Sequence, residues 1–281
     1  MTGHVAGTDD AVILAPPKTR LSEQVLRILV PIVMLTLAVL AWQIYVVTSG
    51  TPKYILPSPV DVGAALLTDY PTLLPSLWVT LTITFEALAL ALVGGVLLAV
   101  ILVQSKWIEL AVFPFAVILQ VTPIVAIAPL LIIYTPNTQT ALLIVAFLVA
   151  FFPILSNMAQ GLKSVDHNLL NLFDLYGAGR WNQLIYLKIP ASMPYFLTGL
   201  RIGGGLALIA AVVAEFAAGS AGAGSGLAFR ILESGYRLNM PRLFAALVML
   251  TFTGVAIFGA TSFISWLVLH RWHESAVRRE N

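Results

Sequence analysis

Six apolar stretches, each about 20 residues or longer, recur along this chain with only short polar segments between them. They run approximately Ile28–Ser49, Leu77–Val103, Leu110–Ile133, Thr140–Ala159, Tyr195–Ala218 and Leu243–Leu269. At ~1.5 Å of rise per residue each reaches the ~30 Å needed to cross a bilayer core as a helix. In lipid every backbone polar group must bond internally, so stretches of this kind must be helical. The expected fold class is therefore all-α: a polytopic membrane protein with six transmembrane helices. Composition agrees, since 59% of the 281 residues are hydrophobic and only 10% charged, against about a quarter in a water-soluble domain. A net charge of +2 makes no case for nucleic acid, and the absence of cysteine excludes disulfides and thiolate metal sites. His4, His167, His270 and His273 all lie outside the apolar stretches, which argues against an intramembrane metal site.

The polar stretch Met1–Arg27 is expected to be no secretory signal. The apolar run behind it is long enough to span, and no small-residue cleavage pattern follows it. Between the first two spans, Tyr54-Ile55-Leu56-Pro57-Ser58-Pro59 favours extended backbone. Val60–Leu67 then reads as a short helix with Asp61 in its first turn, where a carboxylate suits the helix dipole. The third stretch holds Pro114, Pro123 and Pro129, which one membrane span tolerates where neighbouring helices re-satisfy the freed carbonyls. The glycine-rich run Gly219–Gly226 lacks the Lys-Ser/Thr of a phosphate loop and reads as a linker. Leu227–Tyr236 reads as a short helix after it.

The stretch Gly161–Pro194 is a polar island too patterned for a connector. Leu169, Leu172, Phe173 and Tyr176 recur at helical spacing, with Ser164 or Asp166 placed to cap that helix. Gly177 and Gly179 break it, since glycine tolerates the turn and lets another backbone come close. A second short helix carries Trp181, Leu184, Ile185 and Leu187 on one side, and Pro190 is expected to end it. Tyr176, Trp181 and the Ile189-Pro190 corner would form a packed joint.

Helix, glycine turn, helix and then Ile-Pro before a span resembles the cytoplasmic signature loop of ATP-binding cassette (ABC) importer permeases. That pattern is Glu-Ala-Ala, three residues, Gly, nine residues, Ile, any residue, Leu-Pro. Counting from Gly177 reaches Leu187, Ile189 and Pro190 without gaps, whereas Asn171, Leu172 and Phe173 stand at the Glu-Ala-Ala positions. Leu56-Pro57-Ser58-Pro59, the run Thr122–Leu130, the run Leu197–Gly203 and Ala214-Glu215 with Gly219-Ser220 resemble the subfamily for sulfonates, taurine, nitrate and vitamin precursors. The resemblance implies a type I importer permease fold, two permease copies as a homodimer, two ATPase subunits and an extracytoplasmic solute-binding protein. ATP and magnesium would be bound by the ATPase, with no cofactor in this subunit. It implies ATPase coupling through Leu172, Phe173, Tyr176, Gly177, Ala178, Gly179, Trp181, Leu187, Ile189 and Pro190. The other reading of the island is an amphipathic helix lying on the membrane surface.

Orientation follows from charge. Ten lysines and arginines flank one set of span ends and three (Lys53, Arg230, Arg237) the other; Arg201 and Arg242, taken as span-end residues, are left out. The positive-inside bias places both termini and the island in the cytoplasm of a bacterium, with the chain multi-pass in its inner membrane. The expected divisions are an N-terminal segment 1–27, one transmembrane permease domain 28–269 containing the loop 161–194, and a basic tail 270–281.

Glu86 lies deepest within a span and either lines the translocation path, binds a proton, or hydrogen-bonds a neighbouring helix. Glu215, near the outer end of the fifth span, is a second path candidate with reach to the interface. Gly199 and Gly203, four apart, let two helices approach closely. Arg230, Glu233 and Arg237 fall on roughly one helical face, suited to docking a binding protein or to simple solvation. No catalytic constellation is present, so an enzyme is not expected. The competing transport class is a secondary transporter driven by a proton gradient through Glu86, although no inverted repeat supports it.

Overall fold

The computed structural model describes residues 21–219 and 224–270. The polar segment through Arg20 (with His4 and Lys18), Ser220 and the tail from Arg271 (with His273, Arg278 and Arg279) lie outside the described residues. Among those described, the chain is helical with no strand: α1 (Leu21–Ser49), α2 (Pro59–Thr68), α3 (Tyr70–Gln104), α4 (Lys106–Val121), α5 (Ile124–Tyr134), α6 (Thr138–Lys163), α7 (His167–Leu175), α8 (Arg180–Gln183), a π-helical turn (Leu184–Lys188), α9 (Ile189–Ala218), α10 (Leu227–Tyr236) and α11 (Met240–Leu269). Five of these helical runs are long and apolar enough to cross a membrane, and α4 with α5 makes a sixth if that bent pair counts as one span.

The third expected span is in fact two helices bent by 104°. Pro123 lacks an N–H, and the residue before a proline is pushed out of the helical region. Thr122 accordingly sits at φ −66°, ψ 127°, and its hydroxyl caps the end of α4 by donating to the Ile118 carbonyl at 2.6 Å. Pro114 and Pro129 stay inside α4 and α5.

The short helix expected after the Pro-Ser-Pro run is α2, and its start is fixed by a reciprocal cap. Ser58 Oγ accepts from the Asp61 N–H at 3.2 Å, and Asp61 Oδ2 accepts from the Ser58 N–H at 3.2 Å. Pro59 opens the helix, where no N–H is needed. The ammonium of Lys53, bonded to Asp61, together with Ser58 holds that carboxyl below its ordinary pKa.

The core forms where α6 packs between α3 and α9. Its buried residues are small where the helices meet: Ala87 and Ala91 on α3, Ala146 and Ala150 on α6, Ala207, Ala210, Ala211 and Ala214 on α9. Small residues let helix backbones approach, which replaces the hydrophobic drive that lipid does not supply. At Gly199 an added Cβ would lie 3.2 Å from Ile154 Cα, and at Gly203 it would lie 2.9 Å from Ile154 Cδ1. The expected close approach of the fifth span is thus made within the chain, against α6. Gly161 is tighter: a Cβ there would lie 2.7 Å from Tyr195 Cβ and 3.0 Å from Ser192 Cα. Gly161→Leu should therefore force α6 and α9 apart and lower stability by about 3 kcal/mol, as overpacking does; a fall in melting temperature of the purified protein would show it.

Outside this core, α1 is exposed along nearly its whole length. Among its described side chains only Val46 is buried, and Trp42 lies 5.7 Å from the ring of Phe244. At one end of the bundle α2, α10, α11 and the start of α3 close a separate cluster around Val62, Leu73, Leu227, Ile231 and Ala245.

Candidate functional site

The Gly161–Pro194 segment folds as a helix–turn–helix standing off one end of the bundle. Ser164 ends α6, its hydroxyl donating to the Gly161 carbonyl, and Asp166 caps α7 by accepting from the Asn168 N–H at 2.8 Å. Of the two candidate caps, Asp166 is the one used. The end of α7 is a complete Schellman turn: Ala178 N–H donates to the Phe173 carbonyl at 2.9 Å and Gly177 N–H to the Asp174 carbonyl at 2.9 Å. Gly177 has φ +67°, the left-handed conformation that glycine adopts without a Cβ penalty.

The turn is then locked onto α8 by a residue that sequence reading passed over. Gln183 Nε2 donates to Asp174 Oδ1 at 2.7 Å and to the Ala178 carbonyl at 3.1 Å. Composition carried no signal for this pairing, which depends on the turn bringing Gln183 of α8 to Asp174 near the end of α7.

Pro190 does not end the second helix, contrary to expectation. Ile189 N–H reaches back five residues to the Leu184 carbonyl, and this π turn absorbs the donor that Pro190 lacks. The helix continues as Arg180–Ala218, 39 residues in all. Arg201, expected at a span end, consequently lies well inside it, ~18 Å along the axis from Ile189, with its guanidinium 5.7 Å from the Phe258 ring.

The apolar side chains of α8 and the π turn do not share one side either. Leu184 (3% exposed) and Leu187 (8%) are buried, Leu184 among Leu102, Leu155, Met158 and Leu162. Trp181 (69% exposed) and Ile185 face outward, as do Leu169, Leu172, Leu175 and Tyr176 (83%), while Phe173 is half-buried. The packed joint is thus Leu184, Leu187 and Gln183, and the aromatic residues expected there are presented to the exterior. Around Gly177 and Gly179 an added Cβ would meet nothing within 4 Å, so among the described residues no backbone makes the close approach those glycines permit. Lys163 pairs with Glu109, tying the end of α6 to the start of α4.

At the opposite end of the bundle, Glu215 is buried (3% exposed) and does not reach the interface. Thr80 Oγ1 on α3 donates to Glu215 Oε1 at 2.8 Å, and Ala228 N–H at the start of α10 donates to Glu215 Oε2 at 2.9 Å. Thr80 Oγ1 in turn accepts from the Leu227 N–H at 2.9 Å. A Cβ at Gly226 would coincide with the Glu215 carboxylate. A carboxylate buried to this degree is out of reach of a passing solute. Glu86, by contrast, lies on the exposed face of α3, away from the bundle core.

On α10 the structure brings Arg230, Glu233 and Arg237 together. Glu233 bridges Arg230 at 2.9 Å and Arg237 at 3.0 Å, and Arg230 holds its carboxyl below the ordinary pKa. Arg230 Nε also donates to Ser76 Oγ on α3 at 2.9 Å. Arg230 thus ties α10 to α3, Glu233 is held between Arg230 and Arg237, and Arg237 is the member of the three turned to solvent. Among the described residues no group of three or more His, Cys, Asp or Glu side chains is placed to hold a metal ion.

A bundle of helices long and apolar enough to cross a membrane, with an exposed helix–turn–helix at one end, defines a polytopic membrane protein. Residues 91–279 match the family described as binding-protein-dependent transport system inner membrane component, and the chain belongs to it. It is 30% identical to a probable ABC transporter permease protein of Haemophilus influenzae, over 88% of this chain and 98% of that one. It is 33% identical to the formylaminopyrimidine transport permease protein ThiX of Halalkalibacterium halodurans, over 82% and 90%. With the riboflavin transport system permease protein RibX of Chloroflexus aurantiacus it shares 31% identity over 86% and 90%. The chain is an ABC-importer-type permease component, a multi-pass inner-membrane transport protein and not an enzyme.

Proposed function

We propose that this chain forms the translocation pathway of an ATP-driven importer and is driven by a separate ATPase that grips the α7–α8 unit. The observation that carries this reading is the exposed cluster Leu172, Leu175, Tyr176 and Trp181 beside the open space at Gly177 and Gly179. Large apolar side chains outside the spans, rimmed by polar ones, mark a protein contact. The lysine and arginine bias supports a cytoplasmic position for this unit and for both termini. Leu187, Ile189 and Pro190 act behind the contact, joining the unit to α9.

The rest of the assembly follows from the same reading. Two copies of this chain enclose the path, two ATPase subunits bind ATP and magnesium, and an extracytoplasmic binding protein delivers a small solute near α10, with Arg237 at the docking surface. Relatives named for formylaminopyrimidine and riboflavin support a small organic solute. Closure of the ATPase pair moves the α7–α8 unit, and the rigid joint at Leu184, Leu187 and Gln183 passes that motion into α9. Glu86, on an outward face of α3, fits the path or the contact with the second copy, since a carboxylate facing lipid is costly.

The absence of cysteine provides a direct test. A single Ala178→Cys is expected to cross-link to cysteines placed in a groove of the co-purified ATPase, and to lose that cross-link when the ATPase is stripped off. Cross-linking to no ATPase position would mean that the unit lies on the membrane surface instead.

A further inference from the structure

The two ends of the molecule are joined by one element. From Arg180 to Ala218 the chain is a single helical run of 39 residues. Arg180 to Glu215 covers about 50 Å at ~1.5 Å per residue, more than the ~40–45 Å of a bilayer with its headgroups. The inner end of this run is α8. Its outer end carries Glu215, buried under the first residues of α10.

The covalent link from α9 to α10 is Gly219 to Gly226, made of glycine, alanine and serine alone. The apolar face of α10 packs through Leu227 and Ile231 against α2, α3 and α11, and its polar tie to α9 is the bonding at Glu215. The carboxylate takes the Ala228 N–H at 2.9 Å and the Thr80 hydroxyl at 2.8 Å, and that hydroxyl takes the Leu227 N–H at 2.9 Å. Gly226 leaves no space for the carboxylate to slide. Three elements, α9, α3 and α10, meet at one side chain, and the Arg230–Ser76 bond at 2.9 Å adds a second tie between α10 and α3.

We infer that Glu215 is a positioning residue for transport: it pins α10 to the far end of the α8–α9 helix, so that the state of the inner contact is transmitted to the outer face. Thr80 is its relay. This rests on the reading that α7–α8 engages an ATPase and that α10 lies where a binding protein docks. Neither residue contacts solute; their work is to keep the two surfaces in register.

The test uses the full chain in nanodiscs with the ATPase subunit that co-purifies with it, MgATP, and the binding protein encoded beside it, loaded as purified. In Glu215→Ala, ATP hydrolysis without binding protein is expected within about twofold of wild type. Its stimulation by binding protein should fall at least tenfold. Thr80→Val should reproduce this, and Thr80→Ser, which keeps the relay hydroxyl, should restore stimulation. Undiminished stimulation in Glu215→Ala overturns the inference. So does a parallel loss of basal rate, stimulation and complex yield in both Glu215→Ala and Thr80→Val, because that pattern is a purely structural role. If wild type captures no ATPase, or its hydrolysis ignores the binding protein, the failure lies in the proposed function itself, and this inference falls with it.

Discussion

Gly226→Ala, the addition of one methyl group, is expected to destabilise the outer half of the bundle by roughly 3 kcal/mol and to abolish solute uptake. The methyl would occupy the position of the Glu215 carboxylate. That carboxylate ends a flexible side chain, so it would swing aside instead of forcing the backbone open. Swinging aside breaks its bonds to Thr80 and to the Ala228 N–H. A hydrogen bond to a charged group contributes ~1.5–3 kcal/mol, and a buried donor left without a partner costs a further ~1–3 kcal/mol. The double variant Gly226→Ala/Glu215→Ala removes the collision, so it should be distinctly more stable than the sum of the two single losses. Gly205→Ala and Gly224→Ala, where an added Cβ meets nothing within 4 Å, should melt near wild type. Thermal melting and amide exchange at Leu227 and Ala228 would measure all five, the Glu215→Ala single variant included. Additive losses in the double variant would mean that the Glu215 contact is not what Gly226 protects.

That contact also marks where sequence reading stops. Glu215 was legible as a carboxylate near the end of an apolar stretch, and hydropathy alone suggested that it reached water. Its partner Thr80 lies 135 positions away, and no local pattern connects the two. The spans themselves were legible because length and apolarity are local properties, and five of the six expected stretches became continuous helices. The exception was the third. Its three prolines read as tolerable within one span, and only packing decides that Pro123 bends the chain while Pro114 and Pro129 are absorbed. The residue-before-proline rule favoured a break at each of them equally.

In the polar island, the turn was legible to the residue. The Gly177 position follows from helical spacing and the need for a left-handed residue after the last turn. Which faces point inward was not legible. Periodicity groups Trp181 with Leu184, yet it cannot say that Leu184 is buried in the bundle while Trp181, like Tyr176 and Leu172, faces outward. A stripe that is apolar for a partner's sake looks the same in sequence as one that is apolar for the core's. Pro190 misled for a related reason: a proline that ends a helix and a proline whose missing donor is taken up by a π turn have the same flanks.

The same distinction, between what this chain needs and what a partner needs, governs Gly177. Gly177→Asp is expected to abolish uptake while leaving folding and membrane insertion nearly intact. Within the chain the substitution is mild. The position has φ +67°, with nothing within 4 Å of an added Cβ, and aspartate is among the few residues that visit the left-handed region, at a cost on the order of 1 kcal/mol. The Schellman bonds of Ala178 and Gly177 involve only backbone atoms and survive. Against an ATPase groove the substitution is severe, because the open space becomes the closest contact and the new carboxylate is buried without a counter-charge, at a cost of several kcal/mol. Gly177→Asn carries nearly the same shape and backbone preference without the charge, so it should retain much more uptake than Gly177→Asp. Gly177→Ala bears the backbone strain alone and should lie close to Gly177→Asn. The measurements are solute uptake and the yield of co-purified ATPase, expected to fall at least tenfold for the aspartate variant at unchanged membrane abundance. Wild-type uptake in Gly177→Asp would remove this turn from the path of force. Equal losses in all three variants would assign its importance to backbone strain within the chain, with no partner involved.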